Sequence, residues 1–187
     1  MQIFFDTLEA IHQLTLSLDQ HAFLCASCKA CGQFVSHGFC YKQQKLAATN
    51  TVGKRILCSK RSGRTGCGRT IQLYVASVVP GLHHGTTQLL AFITALLANF
   101  SITAAYDKAV GKPESRHAWR WFKKLTQQLI IYRHYLHRNS HADSALLNTQ
   151  SRFRQLLLPT LTTLFSQTHQ ALNHIANFQQ VHQVPFV

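Results

Sequence analysis

Cysteine is the residue whose type and spacing could do chemistry in this chain: six occur in 187 residues. Cys25-Ala-Ser-Cys28 sets two thiols two residues apart, the spacing of a tight knuckle that shares one metal ion. Cys58 and Cys67 follow inside a basic, glycine-rich stretch. A closed structural zinc site needs four ligands at tetrahedral corners. The expected set is therefore Cys25, Cys28, Cys58 and Cys67, with zinc as the metal. The second pair fits less readily, because eight residues separate Cys58 from Cys67 where a knuckle has two. Cys31 and Cys40 compete, Cys28-Lys-Ala-Cys31 is itself knuckle-spaced, and His37 could replace one thiolate. A CxxC pair also runs thiol exchange. Here it does not open a helix after a clear strand, and further cysteines are spaced for metal.

Charge surrounds the second pair. The chain carries 19 Lys and Arg against 6 Asp and Glu, a formal net charge of +13. Such a balance attracts polyanions, with double-stranded DNA first, then RNA, then an anionic membrane surface. Charge alone does not decide between them. Lys54, Arg55, Lys60, Arg61, Arg64 and Arg69 form a run that no acid interrupts. Arginines beside glycine amides suit phosphate contacts. We take Lys54, Arg55, Arg61, Arg64 and Arg69 as expected DNA contacts in this part of the chain.

These residues need elements to position them. Leu8, Ile11, Leu14 and Leu18 share one helical face, with Asp6 as the expected cap and Glu9 in capping-box spacing. Phe34 to Phe39, Arg55 to Leu57 and Thr70 to Val75 read as strands around the cysteines. Pro80-Gly81 punctuates the chain. Thr86 to Asn99 reads as a helix with a broad apolar face. Ser101 caps a second, short helix through Val110. Gly111-Lys112-Pro113 breaks it, and a third helix starts near Ser115 and runs to Leu136 or beyond. Lengths and break fit a trihelical helix-turn-helix, whose third helix would face base edges. Arg116 and Arg120, four apart, with Lys123 and Lys124, are the expected DNA contacts there, while Trp119 and Phe122 are expected to pack inward. Arg133, His134, His137, Arg138 and His141 form a basic, histidine-rich stretch near a hinge. Asp143 can cap a further helix that Pro159 interrupts or restarts, and Leu161 to Phe178 continues an apolar stripe. That end would pack as a hairpin or form a dimer surface.

The expected fold is a small α+β chain: a zinc ribbon, then a mostly helical region containing a helix-turn-helix. The expected divisions are 1–79 (amino-terminal helix and ribbon), 80–139 (helix-turn-helix-like) and 140–187 (carboxyl-terminal helical hairpin).

Cys25-Ala-Ser-Cys28, Phe34-Val-Ser-His-Gly38, Lys54-Arg-Ile-Leu-Cys58 and Cys67-Gly-Arg-Thr70 together resemble the amino-terminal zinc ribbons of bacterial insertion-sequence proteins. The similarity spans about Phe23 to Ile71, and more loosely Gly85 to Leu129. It implies a ribbon and helices that bind element ends or assist a transposase. The departure is the second pair, widened by an inserted Lys-Arg-Ser-Gly-Arg-Thr-Gly.

Six scattered carboxylates (Asp6, Glu9, Asp19, Asp107, Glu114 and Asp143) do not suggest a cradle for catalytic magnesium. Gly63 to Gly68 lacks the Lys-Ser/Thr ending of a phosphate loop. The expectation is a non-enzymatic, zinc-dependent DNA-binding accessory or regulatory protein of a mobile element. Its partners would be duplex DNA, a separate transposase subunit and a second copy of itself as a homodimer. The alternatives are a zinc-stabilised protein-interaction module and an RNA-binding protein. Met1 to Asp6 does not read as a signal peptide, and Leu89 to Phe100 is too short to span a bilayer. The cytoplasm is expected, and in its reducing milieu cysteines favour metal over disulfides.

Overall fold

The computed structural model describes residues 1–18, 23–42, 50–82, 84–139, 153–165 and 171–187. They form two compact units. The first comprises Met1–His83 with Gln183–Pro185, the second His84–His182 with Phe186–Val187.

The first unit is a four-stranded sheet with one helix on it. Its strands are β1 (Gln2–Phe5), β2 (Phe34–Lys42), β3 (Asn50–Cys58) and β4 (Thr70–Val75), in spatial order β1-β4-β3-β2. β2, β3 and β4 run antiparallel to their neighbours, whereas β1 lies parallel to β4 with Ile3 opposite Leu73. Side chains alternate across a strand. Ile56 therefore joins Ile71 and Leu73 on one face, and helix α1 (Leu8–Leu16) closes that face with Ile11. Leu18 and Phe34 complete this core, and Cys25 and Cys58 are buried within it. The metal-ligand candidates thus grow out of the apolar cluster that holds the sheet.

Two local details differ from expectation. Thr7, not Asp6, caps α1, its Oγ1 accepting from the Ala10 amide at 3.1 Å, while Glu9 accepts from Gln13 Nε2 at 2.6 Å. A shorter hydroxyl one residue nearer the helix meets the orphan amide. β1 was not foreseen, since Gln-Ile-Phe-Phe has no alternation of its own and is a strand only by pairing with β4. On its outer edge the Gln183 side chain stands in for a further strand: its Oε1 accepts from the Phe4 amide at 2.8 Å and its Nε2 donates to the Phe4 carbonyl at 3.3 Å.

The second unit is helical: α2 (Thr86–Leu97), α3 (Ile102–Val110), α4 (Ser115–Gln127), α5 (Leu129–Asn139), α6 (Phe153–Phe165) and α7 (Ala171–His182). Ser101 caps α3 by accepting from the Ala104 amide, and Gly111 ends it in the left-handed region at φ 71°. Only glycine takes that conformation without strain. α2, α3 and α4 form the helix-turn-helix-like trihelical arrangement that the sequence predicts. Leu89, Phe92, Ile93 and Leu96 of α2 are buried, and Phe92 meets Tyr106 of α3 and Trp121 of α4, with Phe92 and Tyr106 rings 5.4 and 5.0 Å from Trp121.

Three expectations for this unit are corrected. Trp121, not Trp119, is the buried indole, because the helical phase of α4 directs Ala118, Trp121 and Leu125 inward. The long third helix divides at Gln128 into α4 and α5. Pro159 lies inside α6 and does not interrupt it; in the turns around it, Thr160 and Thr163 hydroxyls donate to the carbonyls of Leu156 and Pro159. α6 and α7 pack on each other and on α2, so the carboxyl-terminal helices share the unit of the middle ones. Tyr132 of α5 donates to the Phe186 carbonyl within that core. Asp143 and His141 lie outside the described residues.

Candidate metal centre

Cys25 and Cys28 belong to a turn between α1 and β2, and Cys58 ends β3. Their backbones explain why the sulfurs converge. In the first arm Lys29 donates its amide to the Cys25 carbonyl at 2.8 Å, and the Cys25 amide donates to the Ala30 carbonyl at 3.0 Å. The second arm repeats both bonds: Gly68 N to Cys58 O at 2.7 Å, and Cys58 N to Arg69 O at 2.9 Å. The residue after each second cysteine is left-handed, Lys29 at φ 59° and Gly68 at φ 76°. The arms are two copies of one knuckle.

The wide spacing of the second arm is closed next to the cysteines by one more backbone hydrogen bond. Gly66 donates its amide to the Ser59 carbonyl at 2.8 Å, so Cys58-Ser59 and Gly66-Cys67 close as if adjacent. Lys60 to Thr65 loop out between them. Gly66 is obligatory, since a Cβ there would lie 2.3 Å from the Ser59 carbonyl oxygen and 2.7 Å from the Cys58 sulfur. The loop is anchored at its far side, where Gln33 Oε1 accepts from the Thr65 amide at 2.9 Å and Arg64 donates to the Gly32 carbonyl at 2.7 Å.

The four sulfurs lie within 4.8 Å of one another. Cys25 and Cys67 are 3.6 Å apart and Cys28 and Cys58 3.7 Å. A tetrahedron of Zn–S bonds near 2.3 Å has edges of roughly 3.8 Å. Both the donor set and its dimensions therefore suit one ion of the zinc class. The Cys28 amide, opposed by burial, brings the Cys25 thiol down to about 6, so one sulfur is ionised at neutral pH. Burial pushes Cys58 up to about 12, even though the Cys67 amide donates to its sulfur at 3.3 Å. Cys25 is thus the readier thiolate, whereas Cys58 must surrender its proton to the metal.

The rival ligands stand elsewhere. Cys31 is exposed on a bridge to Leu24, and His37 is exposed on β2. Cys40 is buried, its thiol 3.7 Å from the Lys54 carbonyl and pushed up by burial.

The expected DNA-contact residues divide by environment. Lys54 is only 8% exposed; its ammonium donates to Thr15 Oγ1 at 2.8 Å and to His12 Nδ1 at 2.6 Å, so it ties β3 to α1. Arg55, Arg61 and Arg69 are exposed, and Arg64 is half-buried by its bond to Gly32. Arg116, Arg120 and Lys123 are exposed on α4, with Lys124 half-buried. The exposed indole of Trp119 escaped sequence reasoning, because spacing alone does not fix which of two neighbouring tryptophans turns inward.

Compared with known proteins, the chain matches no family model, no curated protein and no solved structure. Among the described residues, no helix is long and apolar enough to cross a membrane.

Proposed function

We propose that this chain is a zinc-dependent DNA-binding accessory or regulatory protein of a bacterial mobile element, acting beside a separate transposase subunit and carrying no catalysis of its own. Zinc would be held by Cys25, Cys28, Cys58 and Cys67 and would supply folding energy to the first unit rather than reactivity. Duplex phosphates would be met by Arg55, Arg61, Arg64 and Arg69, and by Arg116, Arg120, Lys123 and Lys124 of α4.

One observation carries most of this: the cationic loop 60–65 is rooted between Cys58 and Cys67, so a metal held there would stiffen the base from which Arg61 is displayed. α4 adds independent support. It carries four Lys and Arg and no acid over Ser115–Gln127. Arg116 stands in the first turn, where the helix dipole disfavours a cation by about 0.3–1 kcal/mol. A phosphate at that end would offset the cost. His117 and Glu114 pair with each other just before the exposed stripe, which keeps that acid engaged.

The test is duplex affinity across a salt series, with the zinc-loaded protein and with an Arg116→Ala/Arg120→Ala variant. Log affinity should fall linearly with log salt, and the double variant should flatten the slope by up to about 1.8. A salt-independent interaction, or stronger competition by structured RNA than by duplex, would overturn the assignment.

A further inference from the structure

The outward face of α4 holds more than charge. At about 100° per residue, Arg116, Trp119, Arg120 and Lys123 cluster opposite the buried Ala118, Trp121 and Leu125. Trp119 lies at one edge of this stripe, between Arg116 and Lys123 along the helix axis, and is 57% exposed, among the most exposed large apolar side chains in the second unit. It is not loose: the Phe122 ring stands 5.9 Å away at 84°, an edge-to-face contact that holds the indole at the surface. Leaving an indole in water forfeits a burial gain that the same helix realises at Trp121. An indole set among guanidinium and ammonium groups matches a ligand that is flat, aromatic and anionic at its margin.

A nucleotide is such a ligand. In a paired duplex, base faces are already stacked on their neighbours. An unpaired base offers its face, and stacking on an aromatic side chain is tolerant of base identity. We infer that Trp119 is a stacking platform for an unpaired nucleobase, with Arg116, Arg120 and Lys123 holding the flanking phosphates. The preferred substrate is then DNA carrying an unpaired nucleotide beside duplex. This rests on α4 being the DNA-contact helix and narrows the kind of DNA it contacts.

The full zinc-loaded chain is titrated against two labelled DNAs, one perfectly paired and one identical but for a single unpaired thymine. Wild type should bind the second roughly tenfold more tightly. Tryptophan emission should be quenched by that DNA, with the residual signal coming from the buried Trp121. Trp119→Ala should make the two DNAs bind alike and abolish the quenching, while the retained Trp121 emission reports an intact fold. Equal wild-type affinity for both DNAs would overturn the inference and leave duplex contact standing. A preference that survives in Trp119→Ala would do the same. Failure to bind either DNA would remove the DNA-contact assignment together with the inference. A wild-type dimer that Trp119→Ala dissociates would show that a second copy covers the indole, and would also overturn it.

Discussion

Cys25 to Cys28 and Cys58 to Cys67 hold their sulfurs with the same backbone turn, yet the first arm spans four residues and the second spans ten. Each arm bonds the amide of its first cysteine to the carbonyl two residues past its second. Each places a left-handed residue directly after the second cysteine. What differs is continuity. The first arm is a chain-local turn, whereas the second is assembled when Gly66 meets Ser59. Ligand geometry therefore depends on where the backbone closes, not on how many residues intervene. A cationic loop is carried at the closure without moving a sulfur.

The comparison is broken most severely by removing a ligand from either arm. Cys25→Ser or Cys58→Ser should each abolish tight zinc uptake and unfold the first unit, since closed sites contribute on the order of 10 kcal/mol of folding energy. Mass spectrometry under native conditions reads the metal, and circular dichroism the loss of strand. If the two arms are equivalent, the two variants fail alike.

Gly66→Ala acts on the second arm alone. Its Cβ meets backbone at 2.3 Å, so the closure must open. We expect zinc affinity to fall by about 1–3 kcal/mol, the usual cost of overpacking, measured by chelator competition. An unchanged affinity would show that the Gly66–Ser59 bond is not what joins the arm.

Excising Lys60 to Thr65 sharpens the comparison from the other side. It leaves Cys58-Ser-Gly-Cys67-Gly68, a continuous knuckle like the first. Zinc content should persist, while the salt slope for duplex binding should flatten by up to about 2.7 for three lost cations. Loss of zinc in this variant would mean that the loop serves the metal and not the polyanion.

Acidity separates Cys25 from Cys58 by protonation. With Cys25 near 6 and Cys58 near 12, the Cys25 sulfur is already ionised at pH 7.5 and that of Cys58 is not. Zinc uptake should therefore release protons into a weak buffer. Lowering the pH through 6 adds a further proton to displace, so affinity should fall more steeply there. The smallest effect is expected at the left-handed residue of the first arm. Lys29→Gly should raise the thermal midpoint of the zinc-loaded protein slightly, because glycine accepts φ 59° without the cost of a Cβ, a gain of at most about 1 kcal/mol.

Much of the site was legible from spacing. Cys25-x-x-Cys28 announces itself, and the basic residues around Cys58 and Cys67 mark the second arm as its complement. The closure through Gly66 was not legible, because nothing in Lys-Arg-Ser-Gly-Arg-Thr-Gly says which residues touch. Lys54 looked like one more cation in an open run. Its position in β3 instead sends its ammonium to His12 and Thr15 of α1, a contact between residues 42 and 39 positions apart. The trihelical arrangement was visible in its caps and breaks, Ser101 and Gly111 above all. The phase of α4 was not, since Trp119, Trp121 and Phe122 are alike in apolarity and it is the packing of Phe92, Tyr106 and His84 that selects Trp121. β1 escaped because four residues carry too short a pattern, and its partner strand lies some seventy positions away.

The Gln183 amide on Phe4 has a consequence for self-association. A sheet ends in two strands whose outward amides and carbonyls can recruit another chain. On the β2 side, two register breaks interrupt that row, one between Ser36 and Phe39 and one between Cys40 and Tyr41. On the β1 side, a single glutamine side chain occupies the outward pair of Phe4. Each edge is thus made a poor template by a different means, and the β1 edge owes its protection to a residue 179 positions away in the chain.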